Sequence, residues 1–137
     1  MQILTHRCCF ISRPVKALLC LTMACGLIAG CSNNLSETDV LSKLQAAGLT
    51  VEKLDESILT HKQRQRIESE PETILSVRVS DAAGHSQTMT LVGFDHDFHA
   101  KHAKGEGVPG FVIRNWLFAG EVTAPQIQSQ IESALLQ

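Results

Sequence analysis

Leu75-Ser76-Val77-Arg78-Val79-Ser80 and Gln87-Thr88-Met89-Thr90-Leu91-Val92 decide the fold of this chain. Apolar and polar residues alternate in each run. That is the period of a strand with one buried face, because successive side chains point to opposite sides of a sheet. Asp81-Ala82-Ala83-Gly84-His85 lies between the runs and supplies turn-forming residues, so the two predict a β-hairpin.

Upstream of the hairpin, Ser36 is a helix cap and Asp39, three residues on, completes an approximate capping box. Leu35 and Val40 have the spacing of a hydrophobic staple. Val40, Leu41, Leu44 and Ala47 form the apolar stripe of that helix, and Gly48 ends it where left-handed backbone is favoured. Residues 49–54 read as a short strand with Leu49 and Val51 on one face. Residues 55–70 hold only Ile58, Leu59 and Ile67 as large apolar side chains, enough to pin a peripheral helix or a wide loop that Pro71 ends.

Downstream, residues 94–104 return to helical spacing. Phe94 and Phe98 are four apart, Ala100 and Ala103 are small, and Asp95 is a candidate cap. The glycines and proline of residues 105–110 impose a loop. Phe111-Val112-Ile113-Arg114-Asn115-Trp116-Leu117-Phe118 follows as one central strand, and a last helix begins after Thr123 with Pro125 in its first turn. Ile127, Ile131, Ala134 and Leu135 supply its buried stripe. This order predicts an α+β fold, a small and mostly antiparallel sheet of three to four strands with helices packed on one face.

Residues 1–16 carry Arg7, Arg13 and Lys16 with no acidic residue, and residues 17–30 carry no charge at all. That is the layout of a secretory signal. Fourteen uncharged residues are too few for a permanent span, which needs roughly 20 to cross about 30 Å of hydrocarbon. The run ends in Ile28-Ala29-Gly30-Cys31. These four residues resemble the lipobox of bacterial lipoproteins, usually Leu-Ala-Gly/Ser-Cys, with Ile in place of the first Leu. The resemblance covers the targeting segment alone. It implies that the chain is cut before Cys31, that Cys31 carries a diacylglycerol thioether, and that its new amino group is acylated. It also implies a place: an Asp after the cysteine retains such proteins in the inner membrane of two-membrane bacteria. Ser32 therefore points to the periplasmic leaflet of the outer membrane, or to the cell membrane of an organism that has only one. Two or more acyl chains hold stably, since each buried CH₂ contributes about 0.8 kcal/mol.

On this reading residues 1–30 are a cleaved signal, 31–35 a short lipid-anchored tether and 36–137 a single domain. Cys8, Cys9, Cys20, Cys25 and Cys31 all lie at or before the cleavage point, so the mature domain offers no thiol for catalysis, redox chemistry or metal binding. Three of the twelve basic residues leave with the signal and none of the fourteen acidic ones does. Nine against fourteen is a formal charge of −5 for the 107-residue mature chain, which gives it no electrostatic reason to seek nucleic acid or anionic lipid. His61-Lys62-Gln63-Arg64-Gln65-Arg66 is the one basic run, read as a solvated helix face or loop, with contact to lipid headgroups or an anionic polymer as the other use.

Two constellations in the domain carry candidate sites. His96, His99 and His102 with Asp95 and Asp97 are residue types that bind zinc, copper or nickel. On a helix, however, His96 and His102 diverge by about 120°. Asp95 and His99, four apart, are the better pair, and as an ion pair they need no metal. The second constellation is Arg114, Trp116 and Phe118, which share a face if residues 111–118 form one strand. Such a patch has the composition of a protein interface, and the competing place for the sole tryptophan is the core. No nucleophile elbow, phosphate-binding glycine loop or zinc-protease motif occurs. The expectation is a membrane-anchored, non-enzymatic accessory or protein-binding module of the bacterial envelope with no cofactor. The alternative is a metal- or small-molecule-binding lipoprotein that uses the His-rich helix.

Overall fold

The computed structural model describes residues 33–67, 70–105 and 107–137; residues 1–30, on which the signal expectation falls, and Cys31, on which the lipidation expectation falls, lie outside the described residues. At its centre is the hairpin expected from the alternating runs. Strands β2 (Thr73–Ser80) and β3 (Ser86–Gly93) pair antiparallel along their whole length, from Thr73 opposite Gly93 to Ser80 opposite Ser86. β1 (Thr50–Lys53) flanks β2. On the other side come β4 (Gly110–Ile113) and β5 (Trp116–Ala119), with β5 against β3 and β4 at the edge. Among the described residues this makes one antiparallel sheet in the order β1-β2-β3-β5-β4. The α+β class stands, with five strands where three to four were expected.

The extra strand comes from residues 111–118, which are two strands and not one. Arg114 adopts φ 54° and, with Asn115, reverses the chain, so that Ile113 pairs with Trp116 and Phe111 with Phe118. Cross-strand partners share a face. Phe111, Ile113, Trp116 and Phe118 therefore lie on one side, and Val112 and Leu117 on the other. The expected grouping of Arg114 with Trp116 and Phe118 assumed an unbroken strand, and the turn changes that parity.

Helix α1 (Glu37–Ala46) starts in a complete capping box: the Ser36 hydroxyl accepts from the Asp39 amide, and the Asp39 carboxylate accepts from the Ser36 amide at 3.1 Å. Gly48, φ 84°, follows as the left-handed residue that ends the helix. α1 packs with α4 (Pro125–Leu135) over the face that carries Val77, Val79, Met89, Leu91, Trp116 and Phe118. α4 has no side-chain cap of its own. Gln87, buried in β3, takes that role: its Oε1 accepts from the amides of Thr123 at 2.8 Å and Ala124 at 2.9 Å, while its Nε2 donates to Glu121 O.

Helices were expected on one face; they divide between two. α3 (Asp97–Gly105) buries Ala100 and Ala103 on the opposite face, against Val92, Val108, Leu117 and Ala119. The pair β4–β5 requires this, because both of its faces are apolar and each must be covered. Residues 55–70 supply the five-residue helix α2 (His61–Gln65), opened by a Thr60/Gln63 capping box and burying none of its own residues. The basic run is thus a solvated helix face. Leu59 and Ile67, on either side of it, pack into the second core.

The hairpin turn is held through Asp81. The His85 ring Nδ1 donates to Asp81 Oδ2 at 2.8 Å, and Gln130 of α4 donates to the same oxygen at 3.0 Å. The amides of Ala83 and His85 fill Oδ1. The His85 hydrogen bond, helped by Gln130, lowers the Asp81 carboxyl from 3.8 to about 2. A carboxyl depressed in the folded state contributes stability above its unfolded value and loses it as pH falls through the folded one. The stability gap between wild type and Asp81→Asn is therefore expected to be constant above pH 4 and to close between pH 4 and pH 2, as read from urea titrations at stepped pH. A gap that does not change across that window contradicts the assignment.

Candidate functional site

A buried polar cluster joins Leu35, just before α1, to the β4–β5 turn. Asn115, in the β4–β5 turn, is 4% exposed, and its side chain acts as a backbone surrogate toward Leu35. Its Oδ1 accepts from the Leu35 amide at 2.8 Å, and its Nδ2 donates to Leu35 O at 3.2 Å and to Phe94 O at 2.8 Å. The Trp116 indole N–H donates to the same Leu35 carbonyl at 2.7 Å. Phe94 N in turn donates to Asn115 O at 2.9 Å. Three distant parts of the sequence meet here, and every buried side-chain polar atom among the described residues has a partner.

Leu35, the last residue of the expected tether, is therefore part of the core and 8% exposed. One residue earlier, the Asn34 side-chain amide donates to the carbonyl of Asp95. The segment before α1 is laid down on the β4–β5 turn and the start of α3. A buried Asn in an apolar run was the one signal for this junction in the sequence; the strand reading absorbed it. Gly93, opposite Trp116 in the register, completes it: a Cβ at Gly93 would come within 2.7 Å of the indole, so the ring can cross β3 only over a glycine.

Of the three residues of the candidate surface patch, Trp116 and Phe118 are 2% and 1% exposed. Phe118 stacks on Phe111 with centroids 4.9 Å apart and ring planes 2° from parallel. Only Arg114 of the three reaches solvent, from the turn. The core competitor for the tryptophan is the one the structure favours, because the turn places it on the face that α1 and α4 cover.

Asp95, His96, His99 and His102 lie at and along α3, on the second face. His99 Nδ1 donates to Asp95 Oδ1 at 2.6 Å, the pair expected from the four-residue spacing, and this bond keeps the Asp95 carboxyl below its usual range. His96 Nε2 is 3.9 Å from Asp95 Oδ2. A hydrogen bond from Lys101 at 2.9 Å lowers the Asp97 carboxyl in the same way. Among the described residues no three His, Cys, Asp or Glu side chains converge as metal ligands. The reason is visible in the fold: the helix begins only at Asp97, so His96 sits ahead of it. His85 serves the hairpin turn through Asp81. Phe98, expected to follow Phe94 inward, is 66% exposed, again because Phe94 precedes the helix and is not one of its turns.

The open grooves among the described residues include these two. One of about 400 Å³ runs between α1 and α4, past Lys43, Ala47, Gln130 and Ser133. The other, of about 430 Å³, lies on the second face beside Ile58, Thr60, Gln63, Thr88 and Glu121. Among the described residues no helix is long and apolar enough to cross a membrane. Comparison with protein-family models, with curated proteins and with solved structures found no match.

Proposed function

We propose that this chain is a lipid-anchored, non-enzymatic protein-binding module of the bacterial envelope, held through Cys31 in the periplasmic leaflet of the outer membrane, or in the cell membrane where there is only one. The lipobox resemblance of Ile28-Ala29-Gly30-Cys31 supports the anchor. The observation that carries the binding role is the open edge of β4. Gly120 N donates to Pro109 O at 2.9 Å, so the bonded pairs continue at Phe111–Phe118 and Ile113–Trp116. The amide and carbonyl of Val112 therefore point away from β5, toward the side where, among the described residues, no strand lies.

The two edges of the sheet differ in chemistry. β1 places Glu52 and Lys53 at its edge, tied to Arg78 and Glu37, and charge there discourages strand addition. β4 is Gly110-Phe111-Val112-Ile113, uncharged and half-buried. An extended segment of a partner protein adds to such an edge through main-chain hydrogen bonds.

Val112→Pro separates this role from the fold. Proline is tolerated on an edge strand where the amide makes no internal bond, yet it blocks an added strand. With the tagged, lipidated chain crosslinked in cells, the wild type is expected to recover one stoichiometric envelope protein. The proline variant should recover it roughly tenfold less, about 1.4 kcal/mol of binding, with an unchanged circular-dichroism spectrum. Equal recovery by the two, or no specific partner for the wild type, overturns the reading.

A further inference from the structure

We propose that α3 is the face of the domain that rests on the membrane, with the exposed Phe98 ring seated at the boundary between headgroups and acyl chains. This rests on the lipid anchor at Cys31 proposed above, and it names the surface that the anchor brings to the bilayer.

The first argument is where the chain leaves the domain. Asn34 is bonded to the carbonyl of Asp95, two residues before α3, and Leu35 is clamped by Asn115 and Trp116. Only Ser32 and Asn33 lie between Asn34 and Cys31, three residue steps with a reach of at most about 11 Å. A lipid on Cys31 therefore holds the start of α3 near the headgroups.

The second argument is what α3 presents there. Ala100 and Ala103 are buried against β4 and β5, which keeps the other side of the helix outward. On that side the Phe98 ring lies 5.8 Å from the His99 ring and 6.0 Å from the His102 ring, and His96 is 6.0 Å from His99. Contacts thus run unbroken from Asn34 through Asp95 and His99 to Phe98. An aromatic ring among imidazoles joins an apolar body to polar tips, the combination that suits a membrane–water interface. Charge agrees: in residues 95–104, Asp95 and Asp97 are matched by Lys101 and Lys104, while the mature chain as a whole carries −5. This surface is spared the repulsion that anionic headgroups impose on the rest.

The other strongly exposed apolar side chain, Leu136, is 63% exposed but follows α4. Lys43 Nζ donates to Gln137 O, which puts the chain's end beside the last turn of α1. The chain enters at the first turn, and ten helical residues, about 15 Å, separate the two.

The test uses the full chain, processed in a bacterial host, purified and reconstituted into vesicles of phosphatidylethanolamine and phosphatidylglycerol. A lipidated Cys31 has no free thiol, so Phe98→Cys offers a single site for an environment-sensitive fluorophore, and Ser129→Cys on α4 is the control. The label at position 98 is expected to brighten roughly twofold and to be quenched by doxyl lipids, with neither effect at position 129. Equal behaviour at the two positions, in protein that floats with the vesicles and carries lipid on Cys31 by mass spectrometry, overturns the proposal and leaves the anchor standing. Shielding of position 98 from aqueous iodide without doxyl quenching assigns that face to contact with another copy of this chain and also overturns it. A chain that carries no lipid on Cys31 overturns the anchor and this inference together.

Discussion

Trp116→Ala is expected to remove about 4 kcal/mol of stability, a large part of the 5–15 kcal/mol that a domain of this kind holds. The indole is 2% exposed, packs across Gly93 and lies in the core that α1 and α4 close. Truncation leaves a cavity that this packing cannot refill, since the strands on both sides are hydrogen-bonded in register. It also removes one of the two donors to the Leu35 carbonyl. Urea unfolding followed by circular dichroism measures the loss, because the variant has no tryptophan left to fluoresce. A cost below about 1 kcal/mol would return Trp116 to the surface role and contradict the fold described here.

Asn115→Ala follows at about 3 kcal/mol. The alanine leaves the Leu35 amide and the Phe94 carbonyl without their partners in a buried junction, and each orphaned group costs about 1–3 kcal/mol. Asn115→Asp sharpens the test. It keeps an acceptor for the Leu35 amide but turns a carboxylate oxygen toward the carbonyls of Leu35 and Phe94, where the native amide donated. Its cost at neutral pH should equal or exceed that of alanine. It should shrink as the medium is acidified and the carboxyl regains a proton to donate. An Asp variant as stable as wild type at pH 7 would rule out the amide as donor. Because Asn115 and Trp116 share the Leu35 carbonyl, their double variant is expected to cost less than the two single changes added together.

The junction also marks how far the sequence could be read. The capping box of α1, the Gly48 terminator, the β2–β3 hairpin and the stripe of α4 were all legible, as was the Asp95–His99 pair. Each depends on residues within a few positions of one another. Residues 111–118 were read as a single strand because Arg114-Asn115 carries no glycine or proline to announce a turn. Arg114 is held in left-handed backbone by what Asn115 grips, and those partners lie 80 residues upstream at Leu35 and 21 upstream at Phe94. The candidate patch failed for the same reason, since one unseen turn moved Trp116 and Phe118 onto the covered face.

What the sequence determined by itself is local: where helices begin and end and which segments alternate; the resemblance of residues 28–31 to a lipobox, on which the proposed anchor rests, is local as well. These follow from backbone sterics and side-chain spacing, which act over a turn or two. Tertiary structure alone decided that the edge at β4 is open, that helices cover both faces of the sheet, and that Leu35 is bound down beside α3. Those outcomes depend on which distant groups satisfy one another once water is excluded, and a buried amide can select partners that no spacing rule connects.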